Sequence, residues 1–280
     1  MRIGKRIKWA FSTKEETACK ISLVKQADVI HSRVIQLFNN INATGKDKPI
    51  SCGTASIVTI EGRVFLLTAA HVADIGDLSV ACPASLSKVN PIYMSLEGSR
   101  LKSVPPNGNR FKDQKDWGLI ALADEVIRGF DQLGLRLSFF ASKSIAKYYS
   151  FVGFPASKCK VVSCKEKKEI KSRPYAYTSK EVEDDVYAQY GLDKRINIVL
   201  PFNREKVFFE ETPSCPMTFP DMHAMSGSPI LNEWGEIVGV FTGSLQNNGF
   251  LVGTRAYAIF DDLLSELCEN SDINRDSLIK

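Results

Sequence analysis

The stretch Asp221 to Phe241, DMHAMSGSPILNEWGEIVGVF, sets Ser226 in a Ser-Gly-Ser-Pro turn just before an apolar run. A hydroxyl there could attack a carbonyl. It is a poor nucleophile at neutral pH, so it needs a base to take its proton and an acid to hold that base in the right tautomer. Ser-Gly-Ser-Pro is also ordinary turn chemistry, and the stretch alone does not decide between the two. Histidine suits the base role, since its unperturbed pKa is about 6.5. The chain has three histidines. His31 lies at the margin of an apolar stripe and reads as a packing or surface residue. His223 shares the loop of Ser226 and is badly placed to reach its hydroxyl. His71 remains, in FLLTAAHVADIGD, where an apolar run meets small Ala69 and Ala70 and the imidazole emerges at a strand's end. Asp116, in KDWGLIALAD, is the acid candidate because it opens an apolar strand. There it can be partly buried and still ionised if it accepts hydrogen bonds. Asp74 and Asp77 compete as loop residues after His71, and Asp113 in the charged run FKDQKD reads as solvated.

These groups must be positioned by strands. TASIVTI and RVFLLTAA flank Glu61-Gly62 and predict a hairpin. PIYMSL, WGLIAL, LRLSFF, YSFVGFP, KVVSC, RPYAYTS, RINIVL, SPILN, GEIVGVFTG and GTRAYAIF read as further short strands. Many short strands with turns between them point to barrels or sandwiches. Upstream, Thr13 and Glu16 form a capping box. Leu23, Ala27, Ile30, Val34, Leu37 and Ile41 then make one apolar stripe, predicting an amphipathic helix over 14–41. EVEDDVYAQYGL reads as a short helix or loop, and Lys158 to Lys171 as a basic solvated stretch. FDDLLSELCEN predicts a short C-terminal helix.

A chain of 280 residues is long enough for one large domain or two lobes. A net charge of +4 gives no reason to expect a nucleic-acid or membrane partner. No apolar run approaches the roughly 18 residues that span a bilayer. The basic start, with Lys5, Arg6 and Lys8, is followed by no apolar segment or cleavage site, so a secretory signal is not expected and these residues read as a solvated tail. Seven cysteines form no disulfide frame. Cys159 and Cys164 lack a second pair to complete a zinc site. Reduced thiols in a cytoplasmic protein, with no metal and no cofactor, are the expectation.

TAAH, DWGLIAL and MSGSP, in that order, resemble the three motif blocks of the trypsin-like (chymotrypsin-fold) serine peptidases. His71 and Asp116 stand 45 residues apart, and Ser226 lies 110 further on. VYAQYGL and INIVL are similar to bacterial intracellular members. The resemblance spans roughly residues 50–260. It implies an all-β chain with two six-stranded antiparallel β-barrels, to which the residue patterns above add an N-terminal helix and a short C-terminal one. The domains would be an extension over 1–48, a first barrel over 49–145 with His71 and Asp116, a second barrel over 146–258 with Ser226, and a helical tail over 259–280. It further implies a His71-Asp116-Ser226 triad that cleaves protein or peptide substrates through an acyl-enzyme. The Ala224 and Ser226 N–H groups would form the oxyanion hole, and the Thr242 hydroxyl would support Asp116 from behind. Thr242, Gly243 and Ser244 would wall the specificity pocket, with Pro220, Asp221 and Met222 near its base. Asp221 would favour a basic residue before the scissile bond, although the family position falls on Pro220. An α/β-hydrolase order and a subtilisin order both fit poorly, because the serine comes last and no aspartate strand precedes His71.

The chain departs from the family at Ala224, where a glycine aims the oxyanion N–H, so strain or a flipped peptide is expected there. Met225 replaces the aspartate that pairs with a newly cut N-terminus. Ser228 replaces a glycine. Val72 and Met222 stand where family cysteines flank the histidine and the serine. Two readings stay open: an active serine endopeptidase, favoured by the complete triad, and a silent or partner-gated binding module, favoured by Ala224. The N-terminal helix is the surface left for a regulatory protein partner.

Overall fold

The computed structural model of the chain describes residues 33–39, 50–60, 62–81, 93–131, 146–164, 167–172, 174–202, 207–208, 222–245 and 249–270. Around Gly62, whose φ of 76° suits a tight turn, β2 (Ile50–Ile60) and β3 (Arg63–Ala69) pair as the expected hairpin, with Ile60 opposite Arg63. On one side of this hairpin lies β1 (Val34–Asn39), and on the other β7 (Trp117–Ala121). With β4 (Ser79–Ala81), β5 (Tyr93–Ser95) and β6 (Arg100–Lys102) they form one antiparallel sheet of seven strands, ordered β5-β4-β1-β2-β3-β7-β6.

The strand β1 corrects the expected helix over 14–41. Val34 and Leu37 belong to it, pairing with Ser56 and Gly53 of β2, while Leu23, Ala27, Ile30 and Ile41 lie outside the described residues. The run VIQLF is wholly buried, and both its edges find strand partners in β2 and β4. Backbone pairing of a buried β-branched run outweighs a helical stripe of apolar side chains. The first sheet therefore reaches upstream of residue 49 into the segment expected to be a helical extension.

The second sheet also has seven strands: β8 (Tyr149–Gly153), β11 (Tyr175–Ser179), β12 (Asn197–Pro201), β13 (Val207–Phe208), β14 (Pro229–Leu231), β15 (Ile237–Leu245) and β16 (Phe250–Arg255). A separate two-stranded ribbon pairs β9 (Lys160–Cys164), the expected strand KVVSC, with β10 (Lys167–Lys171), which was expected only as part of a basic solvated stretch. The two seven-stranded sheets curl as the halves of a two-barrel, chymotrypsin-like architecture, with seven strands where six were expected. The described residues also form the α-helices α1 (Ala70–Ala73), α2 (Asp124–Asp131) and α3 (Asp184–Tyr190) between strands, and α4 (Ala256–Asn270) after the last strand. Gly191, at φ 63°, caps α3. The run AYAIF, expected as strand, already belongs to α4. The strand LRLSFF lies outside the described residues.

Each sheet has its own core, and both meet in a third. Ile35, Leu37, Ile57, Leu66, Val72, Val80 and Ile120 make the first core, and Tyr149, Phe151, Tyr177, Ile198, Met225 and Phe241 the second. A third cluster joins the sheets: Val58, Leu67, Trp117 and Leu119 from the first meet Val152, Leu231 and Val240 from the second and Ile259 and Leu263 of α4. The strand ends that carry chemistry sit around this junction. In the first core Gly53 packs directly on Val72: a Cβ added to it would lie 2.4 Å from Val72 Cγ1.

Candidate active site

His71 is the second residue of α1, which starts where β3 stops. Asp116 is the residue before β7, and Ala69 pairs with Trp117, so the two strand ends set histidine and aspartate side by side. The Asp116 carbonyl accepts the Ala70 N–H at 2.9 Å. One carboxylate oxygen accepts the His71 N–H at 3.0 Å, and the other faces Nδ1 at 2.7 Å. An ionised carboxylate only accepts, so the Nδ1 proton is the donor and Nε2 is left as the acceptor. The Asp116 side chain is 11% exposed and that of His71 40%, so the pair is oriented from the buried side and open on the other.

Asp116 sits at φ 35°, a backbone that favours glycine but that aspartate tolerates better than most residues. The segment around it is pinned to the second sheet and to α4. Asn197 Nδ2 donates to the Gln114 carbonyl at 2.6 Å, and the Thr254 hydroxyl to the Lys115 carbonyl. Lys115 pairs with Asp262, whose other oxygen accepts the Trp117 indole N–H at 2.9 Å. From the other side Asp74, just past His71, binds Lys102 at 2.5 Å and Arg110 at 2.9 Å. Arg110 also reaches Asp113 at 2.6 Å, and Asp113 accepts from Ser103 at 2.6 Å. Asp113 is therefore a buried clasp residue, with its side chain 3% exposed, and not the solvated charge expected. Burial opposes ionisation of Asp74, but the hydrogen bonds and charges of Lys102 and Arg110 outweigh it and hold its pKa below the usual value.

Ser226 is half-buried on the turn before β14. Its hydroxyl donates to the Thr242 carbonyl at 3.3 Å and makes no hydrogen bond to His71 among the described residues. The loop around it is nonetheless stitched to the strands that carry His71. The Ser226 carbonyl accepts from Thr54 N–H at 2.9 Å, and a Cβ on Gly227, at φ 89°, would lie 2.1 Å from the Thr68 hydroxyl.

From Ala224 to Ser228 the backbone N–H groups can be accounted for one by one. The N–H groups of Met225, Gly227 and Ser228 donate to Met222, Phe241 and Met225 carbonyls at 2.9, 2.7 and 3.0 Å. The Ala224 carbonyl accepts from the Thr54 hydroxyl at 3.0 Å, and the His223 carbonyl from Ala156 N–H at 2.9 Å. The N–H groups of Ala224 and Ser226 donate to no protein acceptor among the described residues. Ala224 adopts φ 66°, a glycine-like backbone that costs about 1–2 kcal/mol for a residue with a Cβ. The strain expected there is present, and the His223 carbonyl is tied to Ala156.

Met225 is fully buried among Tyr149, Phe151 and Phe241, an apolar anchor in place of an ion pair. Ser228 is buried too. Its hydroxyl donates to the Met225 carbonyl at 2.6 Å and fills space that Gly153 leaves, where a Cβ would lie 1.8 Å from it. Thr242 differs from expectation: its hydroxyl donates to the Val252 carbonyl at 3.2 Å, not to Asp116. A bulge between Phe241 and Gly243 interrupts the β15–β16 register at this residue, and His71 takes both Asp116 oxygens. Gly243 and Ser244 lie on β15 beyond the last pair with β14, and open space surrounds the position of a Gly243 Cβ. Met222 is half-buried against the second core; Pro220 and Asp221 lie outside the described residues. Thr54, Asp262 and the Arg110–Asp113 pair carry the site without having been picked from the sequence. Thr54 sits in a run whose β-branched residues signal only a strand.

No protein-family model matches the chain, and no curated protein matches it in sequence. Solved structures do match in shape. Neuropsin, a serine protease of mouse brain, is similar at 13% identity with a TM-score of 0.51, over 85% of this chain and 94% of its own. Human heparin binding protein is similar at 13% identity with a TM-score of 0.49, over 86% and 92%. The serine endoprotease of Yersinia pestis follows at 12% identity and 0.46, over 86% and 65%. The chain has the chymotrypsin fold. Among the described residues, no group of three histidine, cysteine, aspartate or glutamate side chains is placed to hold a metal ion, and no helix is long and apolar enough to cross a membrane.

Proposed function

We propose that the protein is a serine endopeptidase. The observation that carries this reading is the pair of N–H groups, Ala224 and Ser226, that find no protein acceptor among the described residues, on a loop whose Met225, Gly227 and Ser228 N–H groups and Ala224 and Ser226 carbonyls are all engaged. Such donors stabilise the oxyanion of a tetrahedral intermediate by about 3–4 kcal/mol each. Ser226 Oγ leaves the Thr242 carbonyl and attacks a peptide carbonyl as His71 Nε2 takes its proton. The carbonyl oxygen becomes an oxyanion on the two N–H groups. His71 then gives its proton to the leaving amine, and water hydrolyses the acyl-enzyme by the reverse relay. Asp116 fixes the imidazole and stabilises its charged form. A substrate strand would run along β15 at Thr242 to Ser244, beyond its last pair with β14, with its side chain beside Gly243. The chemistry needs neither metal nor cofactor. The described thiols, Cys52 and Cys159, are free and support a reducing, cytoplasmic setting.

One observation favours a second reading, a silent or partner-gated module: the Ser226 hydroxyl rests on Thr242 and not on His71. A fluorophosphonate probe separates the two. Labelling of the wild type, with loss in Ser226→Ala and strong slowing in His71→Ala, is the expected result. Labelling only after a partner is added supports gating, and none under any condition with the fold intact removes the peptidase reading.

A further inference from the structure

We infer that Thr54 is a positioning residue for the oxyanion loop, a role that rests on the peptidase reading above. Thr54 is fully buried on β2, and all its polar groups are engaged, across three segments of chain. Its N–H donates to the Ser226 carbonyl at 2.9 Å. Its hydroxyl donates to the Ala224 carbonyl at 3.0 Å and accepts the Phe154 N–H at 3.1 Å. Its carbonyl accepts the Thr68 hydroxyl at 2.7 Å, and Thr68 lies on β3, which runs into His71.

The two bonds from Thr54 to the loop fall on alternate peptides. One holds the Ala224–Met225 peptide and the other the Ser226–Gly227 peptide. The peptides that carry the idle N–H groups, His223–Ala224 and Met225–Ser226, lie beside and between them. The Met225–Ser226 peptide is bounded on both sides by a held plane, and the His223–Ala224 peptide lies between the Thr54-bound plane and the Ala156 N–H that donates to its own carbonyl, so both have little freedom to tilt. The same bond holds Ala224 at φ 66°, which its Cβ disfavours. The contact is close: a Cβ on Gly227 would lie 1.9 Å from the Thr54 carbonyl oxygen. A hydroxyl that accepts from one sheet's Phe154 has only its one proton left to give, so its direction toward Ala224 is determined. Thr54 thereby ties the oxyanion donors to the strand pair that delivers the base.

The test compares Thr54→Val, which keeps the shape and removes the hydroxyl, with Thr54→Ser, which keeps the hydroxyl. Two readouts are used on the full chain. Amide hydrogen exchange needs no catalysis: Met225 and Gly227 should exchange faster in Thr54→Val and as in the wild type in Thr54→Ser, with the β2–β3 amides still protected as a check on folding. With a peptide ester, Thr54→Val should lower kcat by about 10- to 100-fold with KM within about 2-fold, a loss on the scale of a weakened oxyanion donor, and Thr54→Ser should rescue it. If Thr54→Val does not fold, Thr54→Ala read against Thr54→Ser makes the same comparison. Unchanged exchange at Met225 and Gly227 overturns the role of Thr54 whether or not the wild type is active. So does a loss confined to KM, or one that serine fails to rescue. A wild type that never reacts with the fluorophosphonate refutes the peptidase reading separately, and the exchange result still decides on Thr54.

Discussion

At Ala224 a residue with a Cβ holds a left-handed backbone two residues before Ser226. Replacement by glycine removes about 1–2 kcal/mol of conformational cost and adds up to about 1 kcal/mol of unfolded-chain entropy. Ala224→Gly should therefore be neutral to slightly stabilising in urea unfolding, and should not slow fluorophosphonate labelling. A clear fall in labelling would show that the methyl group, and not only the backbone, serves the site. The pairing of His71 with Asp116 was legible in the sequence because each closes or opens an apolar strand at a chemically distinctive residue. Thr54 was not, because a threonine inside a strand looks the same whether its hydroxyl is idle or holds a loop 170 residues away.

Among the elements, the loop from Arg100 to Trp117 matters most, because it delivers Asp116. It is gripped from two sides, by Asp74, Arg110 and Asp113 near α1 and by Asp262 of α4. Asp262→Ala removes the partner of both chain neighbours of Asp116. It should lower kcat several-fold, broaden the His71 imidazole resonances and shift Trp117 fluorescence; unchanged spectra would make α4 a passive lid. The Asp74 end responds to pH. Its carboxyl has a lower pKa in the folded chain than the ordinary value of 3.8, so its ion pairs stabilise fully above that value and are lost as pH falls through the folded pKa. The side chain is 38% exposed, so the effect is screened and small. Asp74→Asn should flatten the stability profile below pH of about 4 and leave it unchanged near neutrality. This clasp was missed because FKDQKD has the composition of a solvated run; only the approach of Ser103 and Arg110 buries Asp113.

Across the whole molecule, the two-sheet plan follows from many short β-branched runs punctuated by turns, and so it was legible. The strand β1 was not. Its stripe also satisfies a helix, and the choice is made by long-range pairing with β2 and β4. The second sheet also has its own polar centre. Arg255, at the end of β16, pairs with Glu181, their side chains 10% and 13% exposed. Arg255 also donates to the Lys194 carbonyl at 2.7 Å, and the Tyr187 hydroxyl of α3 donates to Glu181 at 2.5 Å. Burial opposes the charge on Arg255, but Glu181 and Tyr149 beside it outweigh that and raise its pKa. Glu181→Gln leaves a buried cation short of its counter-charge and should cost about 3 kcal/mol in urea unfolding. A cost below about 1 kcal/mol would mean that water relieves the cation.

The fit of Gly53 against Val72 has one further consequence. A β-carbon built on Gly53 would stand 3.4 Å from that of Val72, next to the roughly 3.5–4.5 Å that a cystine bridge spans. The molecule thus keeps the footprint of a covalent staple without the staple. Installing cysteines at both places and oxidising them should raise the melting temperature, in keeping with the ~3 kcal/mol typical of closing a loop of that size, and reduction should reverse the gain.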